Sequence, residues 1–151
     1  MTVTLRPMTE AEYDDFLRLS VVTFAAEAGP ANGLDEAAAL ELSRREFGRL
    51  LPEGLKTPQQ LIWTACDGDE AIGRLWISLA RTAPFIYDVA VREDQRGKGY
   101  GRAIMLAGEE AVRALGYDRL ELNVFGVNKT AVHLYESLGY TVLSQQMRKE
   151  L

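Results

Sequence analysis

The sequence predicts an α/β domain with a mixed sheet flanked by helices, in the order β-α-α-β-β-β-α-β-α-β. Two observations lead there. Short strand-like segments occur near residues 2–6, 60–66, 71–79, 85–91, 119–124 and 140–143. Capped segments with helical spacing stand between some of them, and in the second half helices and strands alternate one for one. That alternation places helices on the faces of a sheet. At 151 residues, the span 1–151 is most simply one domain, large enough for a substantial core.

Thr2-Val-Thr-Leu-Arg6 alternates as a strand and Pro7 closes it. Thr9 followed by Glu12 is a capping-box signal. Tyr13, Phe16, Leu17, Leu19, Ser20 and Phe24 then follow helical spacing, so the first helix is expected from Thr9 to Ala26, broken by Gly29-Pro-Ala-Asn-Gly33. Asp35 can cap a second helix whose apolar face includes Ala39, Leu42, Phe47 and Leu50. Residues 51–58 carry two prolines and read as a loop. Gln60–Cys66 and Ala71–Leu79 flank the turn Asp67-Gly-Asp69, which implies a hairpin. Phe85–Val91 is a further strand. The helix from Arg102 to Leu115 should turn Ile104, Ala107, Ala111 and Leu115 to one side, and Gly116 stops it. Arg119–Val124 alternates as a strand. Asn128 caps a helix from Lys129 to Leu138, and Tyr140–Leu143 opens a last strand that extends toward Met147.

Composition removes several classes of function. A net charge of −5 and a pI of about 5.0 do not supply a basic nucleic-acid surface. No apolar run approaches the ~20 residues of a membrane-spanning helix, and the N-terminus has no signal-peptide apolar region. Cys66 is the sole cysteine; it cannot form an internal disulfide, and its apolar neighbours predict a buried thiol in a reducing compartment. One His and one Cys make no zinc constellation, so no metal is expected. The simplest expectation is a cytoplasmic soluble protein with neither nucleic acid nor membrane as partner.

The stretch between the fourth strand and the following helix carries the chemistry. Gly97, Gly99 and Gly101 alternate with Lys98 and Tyr100, between Arg96 and Arg102. Strand, glycine-rich turn and helix make an anion cradle, because glycine lets backbone N–H groups face a ligand and the first turn of a helix has free donors. A triphosphate-binding loop needs G-x-x-x-x-G-K-[ST], which is absent. A dinucleotide fingerprint needs G-x-G-x-x-G; Gly97 and Gly99 start it, but Arg102 stands at its third glycine, and Glu121 at the ribose-acid spacing does not repair it. The remaining pattern is R-x-x-G-x-G, met by Arg96, Gly99 and Gly101. An ordinary glycine-rich turn is the alternative.

A second segment adds context. Asn128, Ala131, Leu134, Tyr135, Glu136, Gly139 and Tyr140 fill N-x-x-A-x-x-L-Y-E-x-x-G-[FY]. Together with the R-x-x-G-x-G loop, it resembles the GNAT superfamily of N-acetyltransferases, closely over residues 85–102 and 123–140 and loosely over 10–58. The resemblance implies a mostly antiparallel sheet, splayed between the strand ending near Val91 and the strand Leu120–Val124. It implies acetyl-coenzyme A as acyl donor, its pantetheine arm paired along Val89, Ala90 and Val91. The amides of Arg96, Gly97, Lys98, Gly99, Tyr100, Gly101 and Arg102 would hold the pyrophosphate, and Asn128 would fix the local backbone or the arm. Tyr135 matches the position of the acid that protonates the leaving thiolate.

The base is less marked. Position 123, where some members carry a glutamate, is Asn123. Asp88, before the glycine loop, is the first candidate, with Glu27, Glu121 and a relaying water as further ones. His133 lies nearly opposite the Ala131/Tyr135 side and reads as solvent-facing. The implied activity is direct transfer of acetyl to a primary amine of a small molecule or peptide, in a ternary complex. Acidic residues Glu27, Asp35 and Glu36 would suit a cationic acceptor, and are equally explained as caps and solvated surface. The alternative is a catalytically silent acyl-coenzyme A sensor or interaction module of the same fold. A homodimer through the last strands or helices is compatible with the pattern.

Overall fold

The computed structural model describes residues 2–151. Its elements are β1 (Val3–Pro7), α1 (Glu10–Ala31), α2 (Glu36–Leu50), β2 (Gln60–Asp67), β3 (Glu70–Ser78), β4 (Phe85–Val91), α3 (Tyr100–Ala114), β5 (Glu121–Leu122) and α4 (Lys129–Ser137). The strands form one sheet in the order β1-β2-β3-β4-β5, antiparallel except for the β4–β5 pair. The sheet is therefore mixed, as the sequence pattern implied, and mostly antiparallel, as the resemblance implied.

The caps behave as their residue types require. Thr9 Oγ1 accepts from Glu12 N–H at 3.2 Å while Glu12 Oε1 accepts from Thr9 N–H at 2.9 Å. Arg6 then grips Glu12 with two bonds of 2.8 Å each, joining β1 to α1. Asp35 accepts from Ala38 N–H at 2.8 Å to start α2.

Two cores sit on opposite faces of the sheet. On one, α1 and α2 pack Tyr13, Phe16 and Phe47 against Ile62 and Trp76. On the other, α3 packs Ile104, Met105 and Val112 against Leu75, Ile77 and Ile86.

Four expectations need correction. First, α1 runs through Gly29 and Pro30 to Ala31 rather than stopping at Ala26. Gly29 is buried at the α1–α2 crossing, where an added Cβ would lie 2.8 Å from Ala39 Cβ. The turn after α1 is closed by Asn32, whose amide donates to Ala28 O at 2.7 Å. Second, the inward side of α3 is Tyr100, Ile104, Met105, Gly108 and Val112, and Leu115 is exposed. Gly108 makes this side the close one: a Cβ there would stand 2.7 Å from Leu75 Cδ2. Leu19, one of the residues at helical spacing on α1, is likewise exposed. Third, β5 shrinks to two residues. Fourth, the strand expected from Tyr140 is absent; residues 141–151 are exposed and without regular structure. Arg148 from this segment instead donates to the carbonyls of Pro30 and Ala31 at the end of α1, filling acceptors that a helix terminus leaves open.

Gly73 determines how closely β3 and β4 meet. An added Cβ would lie 2.4 Å from Ala90 O and 2.8 Å from Ile104 Cδ1. Gly73→Ala should therefore cost about 1–3 kcal/mol through overpacking. Thermal unfolding should register this as a fall in Tm of roughly 2–4 °C per kcal/mol for a chain of this size. An unchanged Tm would mean that the β3–β4 spacing is loose.

Candidate active site

The glycine loop leads from β4 into α3. Gly97 has φ 79° and Gly99 φ 85°, left-handed values that other residues rarely adopt. With Lys98 between them, the alternation of hand turns successive N–H groups toward one side. Gly99 is the N-cap of α3, and the first intrahelical bond is Ala103 N–H to Gly99 O at 3.3 Å. Among the described residues, the amides of Gly97 through Arg102 donate to no backbone carbonyl or side chain. A run of unspent donors at a helix N-terminus is an anion site in form.

The loop's side chains hold it in place rather than fill it. Tyr100 is buried and its hydroxyl donates to Asp67 Oδ2 at 2.7 Å; that bond to a carboxylate pushes the phenol's pKa up. Gln95 Nε2 donates to Glu70 Oε1 at 2.7 Å, and Lys98 Nζ to Gln95 Oε1 at 3.1 Å. The loop is thus tied to both ends of the β2–β3 turn. Arg102 donates to Ser137 Oγ on α4 at 2.5 Å, and Arg96 Nε to Val91 O at 3.4 Å. Gly101 does not need a left-handed φ. It is small where α3 meets α4, with Leu134 Cδ2 3.4 Å and Val91 Cγ2 3.9 Å from an added Cβ.

β4 presents an uncovered edge beside this loop. β5 pairs with it only at Phe85–Glu121 and Ile86–Leu122. On the other side, the β3 register steps from Ile77–Ile86 to Trp76–Asp88, so Tyr87 is an extra residue in β4. The extra residue inverts which backbone groups face which neighbour. Before it, Pro84 O faces β5 and accepts from Glu121 N–H at 2.9 Å. After it, Ala90 O faces β3 and Arg92 N–H donates to Ile72 O at 2.9 Å. The N–H groups of Val89 and Val91 consequently point to the uncovered side.

Five polar side chains gather at this opening. Asp88 lies on the α1/α2 face and pairs with Arg74 Nε at 2.7 Å, with side-chain exposures of 14% and 17%. Burial pushes the Asp88 carboxyl up, and the guanidinium opposes this. Glu27 on α1 is half-buried and accepts from Asn128 Nδ2 at 3.2 Å, while Asn128 Oδ1 caps α4 at Ala131 N–H, 3.1 Å away. Burial raises Glu27 as well; Asn128 opposes the rise and Asp88 adds to it. Tyr135 packs its ring into the α3-side core, next to Tyr140 at 6.1 Å. Its phenol is pushed up to about 12, first by burial and then by the charges of Asp88 and Glu27.

The structure thus brings Val89, Ala90, Val91, the glycine loop, Asn128, Tyr135 and Asp88 to one opening. The Tyr100 and Lys98 side chains turn away from the cradle, so these residues offer it backbone N–H groups. His133 is exposed on α4 and Cys66 is buried, both as expected. Sequence reading missed the Arg74–Asp88 pair. Its signal was present: one cation and one anion, each in the middle of an otherwise apolar strand. It also missed the Glu27–Asn128 bond, which spans 101 positions and has no local signal.

A family model described as the Acetyltransferase (GNAT) family matches residues 23–140. Two uncharacterized N-acetyltransferases of Bacillus subtilis (strain 168) are similar over the whole chain. YdgE is 35% identical, covering 100% of this chain and 99% of its own length. YycN is 37% identical, covering 100% of both. The crystal structure of YycN superposes with a TM-score of 0.94 at 34% identity over 99% of each chain. The PaiA N-acetyltransferase of Thermoplasma acidophilum, solved with coenzyme A, shares the fold with a TM-score of 0.71 at 16% identity, over 97% of this chain and 94% of its own.

Removing Arg74 would leave Asp88 as an uncompensated, largely buried charge. Arg74→Met should destabilise the chain by about 3 kcal/mol near pH 7. The carboxyl's folded pKa would rise further above its unfolded value, so the ionised form carries the penalty and protonation relieves it. Denaturant unfolding at a series of pH values should show the deficit shrinking as pH falls. A deficit independent of pH would assign the loss to packing alone.

Proposed function

From its place in the GNAT family of acetyltransferases, to which this chain belongs, we propose that it moves an acetyl group from acetyl-coenzyme A to a primary amine within a ternary complex. The observation that carries the reading is the meeting of three features at one opening: the unspent amides of Gly97–Arg102, the outward N–H groups of β4, and the Tyr135 phenol.

Each feature has a task in acyl transfer. The loop amides hold the pyrophosphate, supported by the positive end of α3. The pantetheine arm lies along Val89–Val91 as an added strand would, using backbone groups that β5 leaves free. An N–H of this edge polarises the thioester carbonyl and stabilises the oxyanion of the tetrahedral intermediate. Tyr135 then donates its proton to the departing thiolate. Its raised pKa keeps it protonated across the neutral and alkaline range. Asn128 has both side-chain ends committed, to Ala131 and Glu27. It therefore acts by holding the start of α4, and with it Tyr135. The Arg74–Asp88 pair lines the acceptor side of the opening, and Arg74 makes Asp88 a charge-balanced wall rather than a ready base. The coenzyme A bound to the PaiA relative supports the choice of donor.

A panel of aliphatic amines, amino acids, polyamines and peptides, assayed with acetyl-coenzyme A for free thiol release, tests the activity. Turnover on at least one amine is expected; coenzyme binding with no thiol release on any would replace the enzyme by a sensor. With the best amine, Tyr135→Phe should keep coenzyme affinity and lower kcat by roughly 10²-fold, the usual contribution of a positioned acid. Unchanged kcat would remove Tyr135 from the chemistry.

A further inference from the structure

Of the two carboxylates at the opening, Asp88 already has a cation. Arg74 Nε stands 2.7 Å from it. Glu27 has none: among the described residues its carboxylate makes no salt bridge, and it accepts a 3.2 Å bond from the neutral amide of Asn128. That single donor leaves acceptor capacity on a half-buried carboxylate. Asp88 also has the hydroxyl of Ser20, buried on α1 two helical turns before Glu27, close enough to favour its charged form.

Phe24 stands three residues before Glu27 on α1 and Phe125 three before Asn128; their ring centroids are 6.2 Å apart and both residues are half-buried. This combination suits a ligand with a cationic head and an apolar neighbour. We propose that Glu27 is the proton acceptor and ammonium anchor of the acceptor subsite, and that the acceptor is an aliphatic primary amine whose adjacent carbons lie against Phe24 and Phe125. This assignment rests on the acetyl-transfer reading above.

The acceptor arrives as an ammonium ion paired with ionised Glu27, and one N–H proton passes to the carboxylate. The nitrogen lone pair then attacks the thioester carbon, forming C–N and moving the carbonyl π pair onto oxygen. Collapse re-forms the carbonyl and breaks C–S, with the pair leaving on sulfur. Tyr135 protonates that sulfur and recovers a proton from the new amide nitrogen, which carries one too many. Glu27 returns its proton to solvent. The net products are amide, free coenzyme A and one proton.

The charged and titratable groups around Glu27 are Asp88 on β4 with Arg74 behind it on β3, the neutral phenol of Tyr135 on α4, and Arg148 of the C-terminal segment at the Pro30 and Ala31 carbonyls one turn along. Burial and Asp88 move the Glu27 pKa upward, toward the range where a carboxylate can take a proton and release it.

The test is steady-state kinetics of the parent chain, Glu27→Gln and Asp88→Asn, with an aliphatic primary amine and with an aromatic amine already neutral at pH 7. Thermal unfolding and coenzyme binding by calorimetry serve as controls for each variant. Glu27→Gln should lose roughly 10²-fold in kcat/KM for the aliphatic amine at pH 7, with much of the loss recovered as pH rises and the free amine becomes abundant. It should lose little with the aromatic amine, and coenzyme affinity should hold. Asp88→Asn should keep the acid limb of the pH profile. If Glu27→Gln folds, binds coenzyme and keeps the parent's profile on the aliphatic amine, the proposal is overturned. Loss of the acid limb in Asp88→Asn would move the role to Asp88. If Glu27→Gln misfolds, Glu27→Asp reads the same quantity: it should keep the acid limb at reduced kcat/KM, and loss of that limb in a folded Glu27→Asp counts against the assignment. A parent that binds coenzyme but turns over no amine overturns the acetyl-transfer reading itself.

Discussion

Two residue pairs join β4 to β5, and everything proposed for this chain depends on the pairing ending there. A longer ladder would have spent the outward N–H groups of Val89 and Val91 on β5. The sheet would have been sealed between its two faces. Instead the chain leaves the sheet after Leu122 and turns into α4. The extra residue Tyr87 adds the second half of the effect, because it reverses the strand's polar faces just where β5 ends. An edge strand with unused backbone groups is normally a liability. Here the unused groups lie beside the glycine loop, where the proposed coenzyme arm would run along them.

The surroundings keep that opening fixed. Gly73 lets β3 come within reach of β4, and Gly108 lowers α3 onto Leu75. Tyr100, Gln95 and Lys98 tie the glycine loop to the hairpin on one side, and Arg102 ties α3 to α4 on the other. Asn128 links α4 to α1 through Glu27. A cradle held this way loses little conformational freedom when it takes an anion, so more of the contact energy appears as affinity. In the proposed reaction the two faces would also separate the two substrates: the long anionic donor on the α3 side, and a cationic acceptor on the α1/α2 side.

Much of this was legible in the residues. Thr9–Glu12, Asp35 and Asn128 announced three helix starts correctly, since capping is local chemistry. The hairpin at Asp67-Gly-Asp69 and the glycine loop were equally local. The failures came from long-range packing. Gly29-Pro30 reads as a helix break, yet α1 continues because the glycine is where α2 crosses. Leu115 reads as inward because periodicity cannot see that Gly108 rotates α3 toward Leu75. The strand from Tyr140 has suitable residues and finds no partner edge, since a strand exists only through pairing. At the site, Tyr135, Asp88 and the loop were nameable from sequence. The partners that give them character, Arg74 and Glu27, depend on sheet register and on helices meeting across 101 positions.

The central claim is that the β4–β5 opening receives a coenzyme A arm whose phosphates rest on the glycine-loop amides. A crystal structure of this chain with coenzyme A tests it directly. Pyrophosphate oxygens should lie within hydrogen-bond distance of the amides between Gly97 and Arg102. The pantetheine amides should pair with Val89 and Val91, and the sulfur should lie within reach of the Tyr135 hydroxyl. Coenzyme bound elsewhere, or an opening closed by extension of β5 along β4, would contradict it.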